Sequence, residues 1–66
     1  MKRKLKLAGP SEQLDVIAYE ADGYDLRLKR YRGKPPYIEA SGNESELILL
    51  EKNARVLAPE VKSSWQ

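Results

Sequence analysis

Apolar and polar residues alternate along several short stretches of the chain, and turn-forming residues separate these stretches at short intervals. Glycine, proline, serine, aspartate and asparagine cluster at residues 8–11, 22–23, 33–36 and 41–43. Such spacing is typical of consecutive short strands and leaves little room for crossover helices. The pattern therefore predicts a mainly β protein.

The clearest predicted element is a β-hairpin around Asp22-Gly23, because Asp-Gly favours a two-residue type I′ turn. With these two residues as the loop, residues 14–21 pair with residues 24–31, and alternation sorts the side chains onto two faces. One face is a predicted core, closed by an Asp15–Arg30 pair. It contains Ile17, Tyr19, Ala21, Tyr24, Leu26 and Leu28. The opposite face carries Leu14, Val16 and Ala18 beside Arg27, Lys29 and Tyr31.

Two further strands are predicted on either side of this hairpin. The N-terminal run Arg3–Leu7 alternates leucine with lysine and is expected to pair with residues 13–18, in a register that the pattern leaves open. Tyr37–Ala40 follows Pro35-Pro36, and these two prolines lack N–H donors. This favours an edge position for the strand.

Residues 44–58 have two interpretations. As a helix, they carry an apolar stripe of Leu47, Leu50, Ala54 and Leu57, and Asn43 and Glu46 can form a capping box. As a hairpin, residues 46–51 and 55–58 are strands joined at 52–53. The hairpin is preferred because the rest of the chain is predicted to be β, although run length alone does not decide. Residues 59–66 are expected to form a flexible tail.

The predicted fold is thus a single small β domain over residues 1–58, with five or six antiparallel strands. It would form a closed barrel of SH3-, Sm- or OB-like architecture, or a curled sheet. The alternative is an α+β fold, in which a four-stranded sheet packs against one C-terminal helix at about residues 44–57.

Composition removes several classes of function. The 66 residues include no Cys and no His, which excludes disulfides, thiolate metal sites and Ser-His or Cys-His catalytic pairs. We therefore expect a non-enzymatic protein without a cofactor or a metal. No apolar run of membrane-spanning length occurs, and the charged opening residues 1–7 do not resemble a signal peptide. A cytoplasmic protein without membrane association is expected.

The net charge of +2 conceals blocks of one sign. Residues 1–10 carry +4, residues 11–25 carry −5, residues 26–36 carry +5, residues 37–51 carry −4 and residues 52–66 carry +2. The simplest interpretation is that these blocks set strand order and solubility. The functional interpretation is that the two strongly basic segments converge on an anionic partner.

The basic segments contain the candidate binding residues. They are Lys4, Lys6, Arg27, Lys29, Tyr31, Arg32 and Lys34, and Tyr37 follows the same loop. Basic side chains neutralise phosphates, and tyrosine rings stack on unpaired bases, which predicts binding of single-stranded DNA or RNA. A purely structural explanation is an outer strand whose charges resist edge aggregation.

A second functional hypothesis is a protein-interaction or regulatory subunit, with a protein partner or a homodimer, because a chain this small has little core. The direction of Lys4 and Lys6 separates the two hypotheses. A face shared with Arg27 and Lys29 favours nucleic acid, and the opposite face favours protein interaction.

Overall fold

The described residues, 2–21 and 23–66, form four strands and two helices in a computed structural model of the protein. In chain order these are β1 (Lys2–Ala8), α1 (Ser11–Glu20), β2 (Asp25–Lys29), β3 (Tyr37–Asn43), α2 (Glu44–Leu57) and β4 (Lys62–Trp65). The strands form one sheet in the order β2-β3-β1-β4, and every neighbouring pair is antiparallel.

The sheet is open, with β2 and β4 at its edges. The predicted antiparallel sheet is therefore confirmed, but in the described part of the chain it has four strands and does not close into a barrel, so the prediction of five or six strands is matched only in part. The alternative, a four-stranded α+β fold with a helix near residues 44–57, is closer and lacks only α1. The element order β-α-β-β-α-β is that of the ferredoxin-like motif, a fold that by itself assigns no function.

Both helices pack against one face of the sheet, and the core lies between these two layers. Alternation along β1 and β3 directs Leu5, Leu7, Ile38 and Ala40 toward the helices, where all four are buried. The helices contribute buried residues at helical spacing, and the segment before β4 adds two more. These are Leu14, Ile17, Ala21, Leu47, Leu50, Ala54, Ala58 and Val61.

The predicted hairpin is replaced by α1, a loop and β2. Leu14, Ile17 and Ala21 recur at intervals of three and four residues and are all buried, which is the pattern of an amphipathic helix. Tyr19, assigned to the core face of the hairpin, is instead 83% exposed on α1. Of the rest of that predicted face, Tyr24 and Leu26 are half-buried and Leu28 is exposed. Asp22, half of the predicted turn, lies outside the described residues.

The Asp15–Arg30 pair predicted for the hairpin is present, although Asp15 lies on a helix and not on a strand. The Arg30 guanidinium donates a hydrogen bond to the Asp15 carboxylate at 3.2 Å and another to the Ser11 hydroxyl at 3.3 Å. The Asp15–Arg30 pair therefore links α1 to the chain just after β2, and does not bridge two strands.

The N-terminal strand β1 pairs with β3 and β4, so the expected pairing with residues 13–18 is wrong. The predicted strand at Tyr37–Ala40 is confirmed as the first part of β3, but it lies inside the sheet and not at an edge. Pro35 and Pro36 precede β3, so their missing N–H groups do not interrupt the ladder.

Residues 44–57 form α2, so the preferred hairpin interpretation is wrong and the helical one is confirmed. Leu47, Leu50 and Ala54 are buried as the stripe predicts, whereas Leu57 is exposed. Asn43 precedes the helix, but within the described part of the chain its side chain makes no capping hydrogen bond.

Residues 62–65, expected to belong to a loose tail, form the edge strand β4 beside β1. The Arg3 guanidinium lies 4.8 Å from the centre of the Trp65 ring, and the Ser63 hydroxyl donates a hydrogen bond to Glu51 of α2 at 2.5 Å. Gly9 contacts the chain just before β4 so closely that a Cβ there would lie 2.9 Å from Val61. The C-terminal segment is therefore an integral part of the packing.

Candidate nucleic-acid interface

The helices cover one side of the sheet and leave the other side uncovered. We call the uncovered side the open face, which consists of the even-numbered residues of β1 and β4 and the odd-numbered residues of β2 and β3. Its basic side chains are Lys2, Lys4, Lys6, Arg27, Lys29 and Lys62, and its acidic ones are Asp25 and Glu39. Counted over the described strands, this face carries +4, although the whole chain carries only +2. Positive charge is therefore concentrated on the open face.

Lys4 and Lys6 share this face with Arg27 and Lys29. The register aligns Lys6 and Arg27 on opposite sides of Glu39 in one row across the sheet. The ammonium groups of Lys4 and Lys29 both approach the same Glu39 oxygen, at 3.9 and 3.6 Å. Cations from β1 and β2 therefore converge above β3, which separates those strands.

Glu39 is the acidic centre of the open face, and its side chain is only 16% exposed. It holds Lys4 and Lys29 in place and cancels part of their charge. The two lysines remain accessible to solvent, so each pair is weak, at roughly 0–1 kcal/mol. An anionic ligand can compete for both lysines.

Two tyrosines mark the end of the open face next to the β2–β3 loop. The rings of Tyr31, in that loop, and Tyr37, on β3, have centroids 6.3 Å apart and planes tilted by 34°. The Lys6 ammonium lies 4.6 Å from the centre of the Tyr37 ring, an attractive cation–π arrangement. Desolvation, followed by hydrogen bonding to Tyr31, raises the pKa of Tyr37 above its ordinary 10.0, so its phenol is neutral at physiological pH.

The open face contains a groove at each end. At the tyrosine end, a groove of about 400 Å³ is lined by Lys6, Ala8, Tyr31, Lys34, Pro35, Pro36 and Tyr37. At the other end, a groove of about 320 Å³ is lined by Lys2, Arg3, Lys4, Asp25, Arg27, Glu39 and Ser41. The first groove combines aromatic and proline walls with two ammonium groups, and the second is mainly charged.

The predicted binding residues are largely brought together. The side chains on the open face are those of Lys4, Lys6, Arg27 and Lys29. The loop residues Tyr31 and Lys34 line the tyrosine-end groove. Arg32 is exposed in the same loop but does not line that groove.

The prediction places Tyr37 beside the basic loop but omits Lys62 and Glu39 as members of the site. Tyr37 and Glu39 belong to β3, which lies inside the sheet only because β1 and β2 pair with its two edges. The same pairing places Glu39 at the centre of the open face. Lys62 lies in a segment predicted to be a tail. Only alternation along Tyr37–Ala40 indicated that Tyr37 and Glu39 lie on one face.

The helical side has a different character. A groove of about 280 Å³ runs between the helices, lined by Ile17, Glu20, Ala21, Tyr24, Leu50, Asn53, Ala54, Val56 and Leu57. Val56 is 80% exposed, and Val16 and Leu49 are also exposed on the two helices. This side therefore presents apolar surface, whereas the open face presents charge.

Among residues 2–21 and 23–66, no group of three or more acidic side chains lies in a position to hold a metal ion. Neither helix in this part of the chain is long and apolar enough to cross a membrane. Comparison with protein-family models, with curated proteins and with solved structures finds no match to this chain.

Proposed function

We propose that this protein is a non-enzymatic module that binds single-stranded DNA or RNA across the open face of its sheet. The observation that carries the proposal is the shared facing of Lys4 and Lys6 with Arg27 and Lys29. This shared facing favours the nucleic-acid hypothesis over the protein-interaction hypothesis, because it gathers cations from two strands on one uncovered surface.

The spacing of the cations suits a flexible polyanion. Neighbouring strands lie about 4.8 Å apart, and residues two positions apart along a strand lie about 6.7 Å apart. Lys4 and Lys6 on β1 and Arg27 and Lys29 on β2 thus form a small two-dimensional array of positive charge. A single strand crossing the sheet can bring several phosphates near these groups without a sharp bend.

Single strands are favoured over duplex by the shape and chemistry of the face. Base readout in duplex DNA requires an element that enters a groove, and both helices lie on the far side of the sheet from the basic residues. Tyr31 and Tyr37 instead offer rings to unpaired bases, as four-stranded RNA-binding sheets do. Stacking of this kind tolerates any base sequence.

The test is titration of labelled oligo(dT) and oligo(rU) by fluorescence anisotropy at low and moderate salt. We expect affinity to fall steeply with salt, because phosphate binding releases counterions. Arg27→Ala/Lys29→Ala should weaken binding and make the log–log salt slope shallower by about 1.4, at roughly 0.7 per lost phosphate contact.

The matched control is Lys52→Ala/Arg55→Ala, which removes the same charge from exposed positions of α2. It should leave the salt slope nearly unchanged. Absence of salt-sensitive binding by the wild type, or equal losses in the two double variants, would contradict the proposal.

A second candidate function is self-association through the helical side. The specific observation in its favour is the exposed apolar surface of Leu49 and Val56 beside the groove between the helices. This surface lies opposite the open face, so the two candidate functions do not compete for the same residues.

A further inference from the structure

We propose that the groove at the tyrosine end of the open face, hereafter the aromatic groove, holds one unpaired nucleobase stacked on the ring of Tyr31. This inference rests on the proposed function and assigns a ligand of one chemical class, a nucleobase, to this groove. The rest of the open face would contact phosphates, so the aromatic groove is the place where the protein contacts a base.

The loop that carries Tyr31 is held in shape before any ligand arrives. The Lys34 N–H donates a hydrogen bond to the Tyr31 carbonyl at 3.1 Å, which closes a four-residue turn. Gly33, the third residue of that turn, has φ of +77°, as a type II turn requires. Pro35 and Pro36 follow and restrict the backbone further. A preorganised loop loses little conformational entropy on binding.

The two tyrosines have different surroundings, and this selects Tyr31 as the stacking platform. The Lys6 ammonium already occupies a position over the Tyr37 ring, so a base would have to displace it. Tyr31 is 51% exposed and contacts Tyr37 from the loop side. A base on Tyr31 is thus flanked by Tyr37 and by the prolines that line the groove.

The charges and size of the aromatic groove fit a nucleotide unit. Lys6 and Lys34 lie on its rim and can each meet a phosphate adjoining the stacked base. Its volume of about 400 Å³ is within the usual range of small-ligand sites, roughly 300–1,000 Å³. Ala8 pairs with Tyr37 across the two strands, and its small side chain leaves space in the groove beside the Tyr37 ring.

The experiment compares two labelled eight-residue probes of equal charge, dT8 and a fully abasic deoxyribose-phosphate oligomer. Wild-type protein should bind dT8 about 5- to 150-fold more tightly, the ratio that corresponds to one stacked base. Tyr31→Leu should remove most of this ratio by weakening dT8 binding alone, and Tyr31→Phe should retain it. Chemical denaturation followed by Trp65 fluorescence checks that each variant is folded.

The outcomes separate this inference from the function on which it rests. Equal, salt-sensitive binding of both probes by the wild type would leave phosphate binding intact and overturn the aromatic groove as a base site. A preference for dT8 that survives Tyr31→Leu in a folded variant would also overturn it. Absence of binding to either probe would overturn both proposals.

Discussion

Glu39 determines how much of the positive charge on the open face is available. Its carboxylate lies within 4 Å of two lysines from different strands, and it is the least exposed ionised group among these partners. It pairs with lysines of β1 and β2 above the central part of the sheet. It would also oppose the proposed binding of a polyanion, because a phosphate would have to approach a negative charge at the centre of the open face.

Replacement of Glu39 by glutamine tests whether this carboxylate limits the positive charge available on the open face. Glu39→Gln retains the shape of the side chain, removes the central negative charge and releases both lysines. Each of the two ion pairs is worth roughly 0.2–1 kcal/mol, so loss of both should raise oligonucleotide affinity about two- to thirtyfold. The salt slope should become steeper, as measured by the same anisotropy titrations.

Glu12→Gln is the control for this substitution, because it makes the same charge change at an exposed position of α1. Glu12→Gln should raise oligonucleotide affinity only slightly, because it makes the net charge of the protein more positive by one without changing the open face. Unchanged or reduced affinity in Glu39→Gln would show that the open face is not where the oligonucleotide binds.

Helix α1 shows how one short segment can satisfy two periodicities. Residues 14–19 alternate well enough for a strand with Ile17 and Tyr19 on one face, yet Leu14, Ile17 and Ala21 also satisfy helical spacing. Pro10-Ser11, interpreted as part of a turn, is the start of the helix. There the Pro10 carbonyl accepts hydrogen bonds from the N–H groups of Gln13 and Leu14. Tertiary packing decides between the two, because the helix and its C-terminal cap bury all three apolar residues against the sheet and α2.

The predicted hairpin and the observed helix α1 imply different effects on stability when Ile17 or Tyr19 is substituted. In the hairpin, Ile17 and Tyr19 share the core, so truncation of either would be costly. In the helix, Ile17→Ala should reduce the free energy of unfolding by about 2–5 kcal/mol. Tyr19→Ala should change it by less than about 0.5 kcal/mol, because that side chain is in solvent.

Urea denaturation of the two variants measures these differences. Leu14→Ala serves as a second core substitution, which should resemble Ile17→Ala because Leu14 is also fully buried. Comparable losses in Ile17→Ala and Tyr19→Ala would contradict the helical assignment of Ser11–Glu20.

At the scale of the whole molecule, the two sides of the sheet differ in chemistry. Cations project from the open face, whereas exposed valine and leucine side chains surround the groove between the helices. A chain of this length has a thin core, and association through the helical side would bury additional apolar surface. The proposed self-association and the proposed nucleic-acid binding would therefore use opposite sides of the molecule.

Sedimentation velocity across micromolar to millimolar protein concentrations tests self-association. We expect the wild type to shift from monomer to dimer as concentration rises, and Leu49→Glu/Val56→Glu to remain monomeric, because it places charge on the apolar surface. The variant should still bind oligonucleotides. Lys52→Ala/Arg55→Ala is the control and should dimerise like the wild type. A wild type that stays monomeric at every concentration would exclude this candidate.

Local pattern was sufficient for some elements and insufficient for others. The strand at Tyr37–Ala40 and the stripe at Leu47, Leu50 and Ala54 were predictable, because each depends on the spacing of neighbouring residues. Strand β4 was not, because Lys62–Trp65 has no strong apolar pattern and is held by its ladder to β1. The close contact of Gly9 with Val61 likewise joins residues far apart in sequence.

The sequence by itself determined which chemistry is available and how charges group within each strand. It contains no Cys and no His, and alternation requires Lys4 to face with Lys6 and Arg27 with Lys29. Only the tertiary structure decided that these two pairs lie on the same side. The strands β1 and β2 are not neighbours, so their relative facing is set by the register of each with β3. A shift of one residue in either register would move one pair to the opposite side.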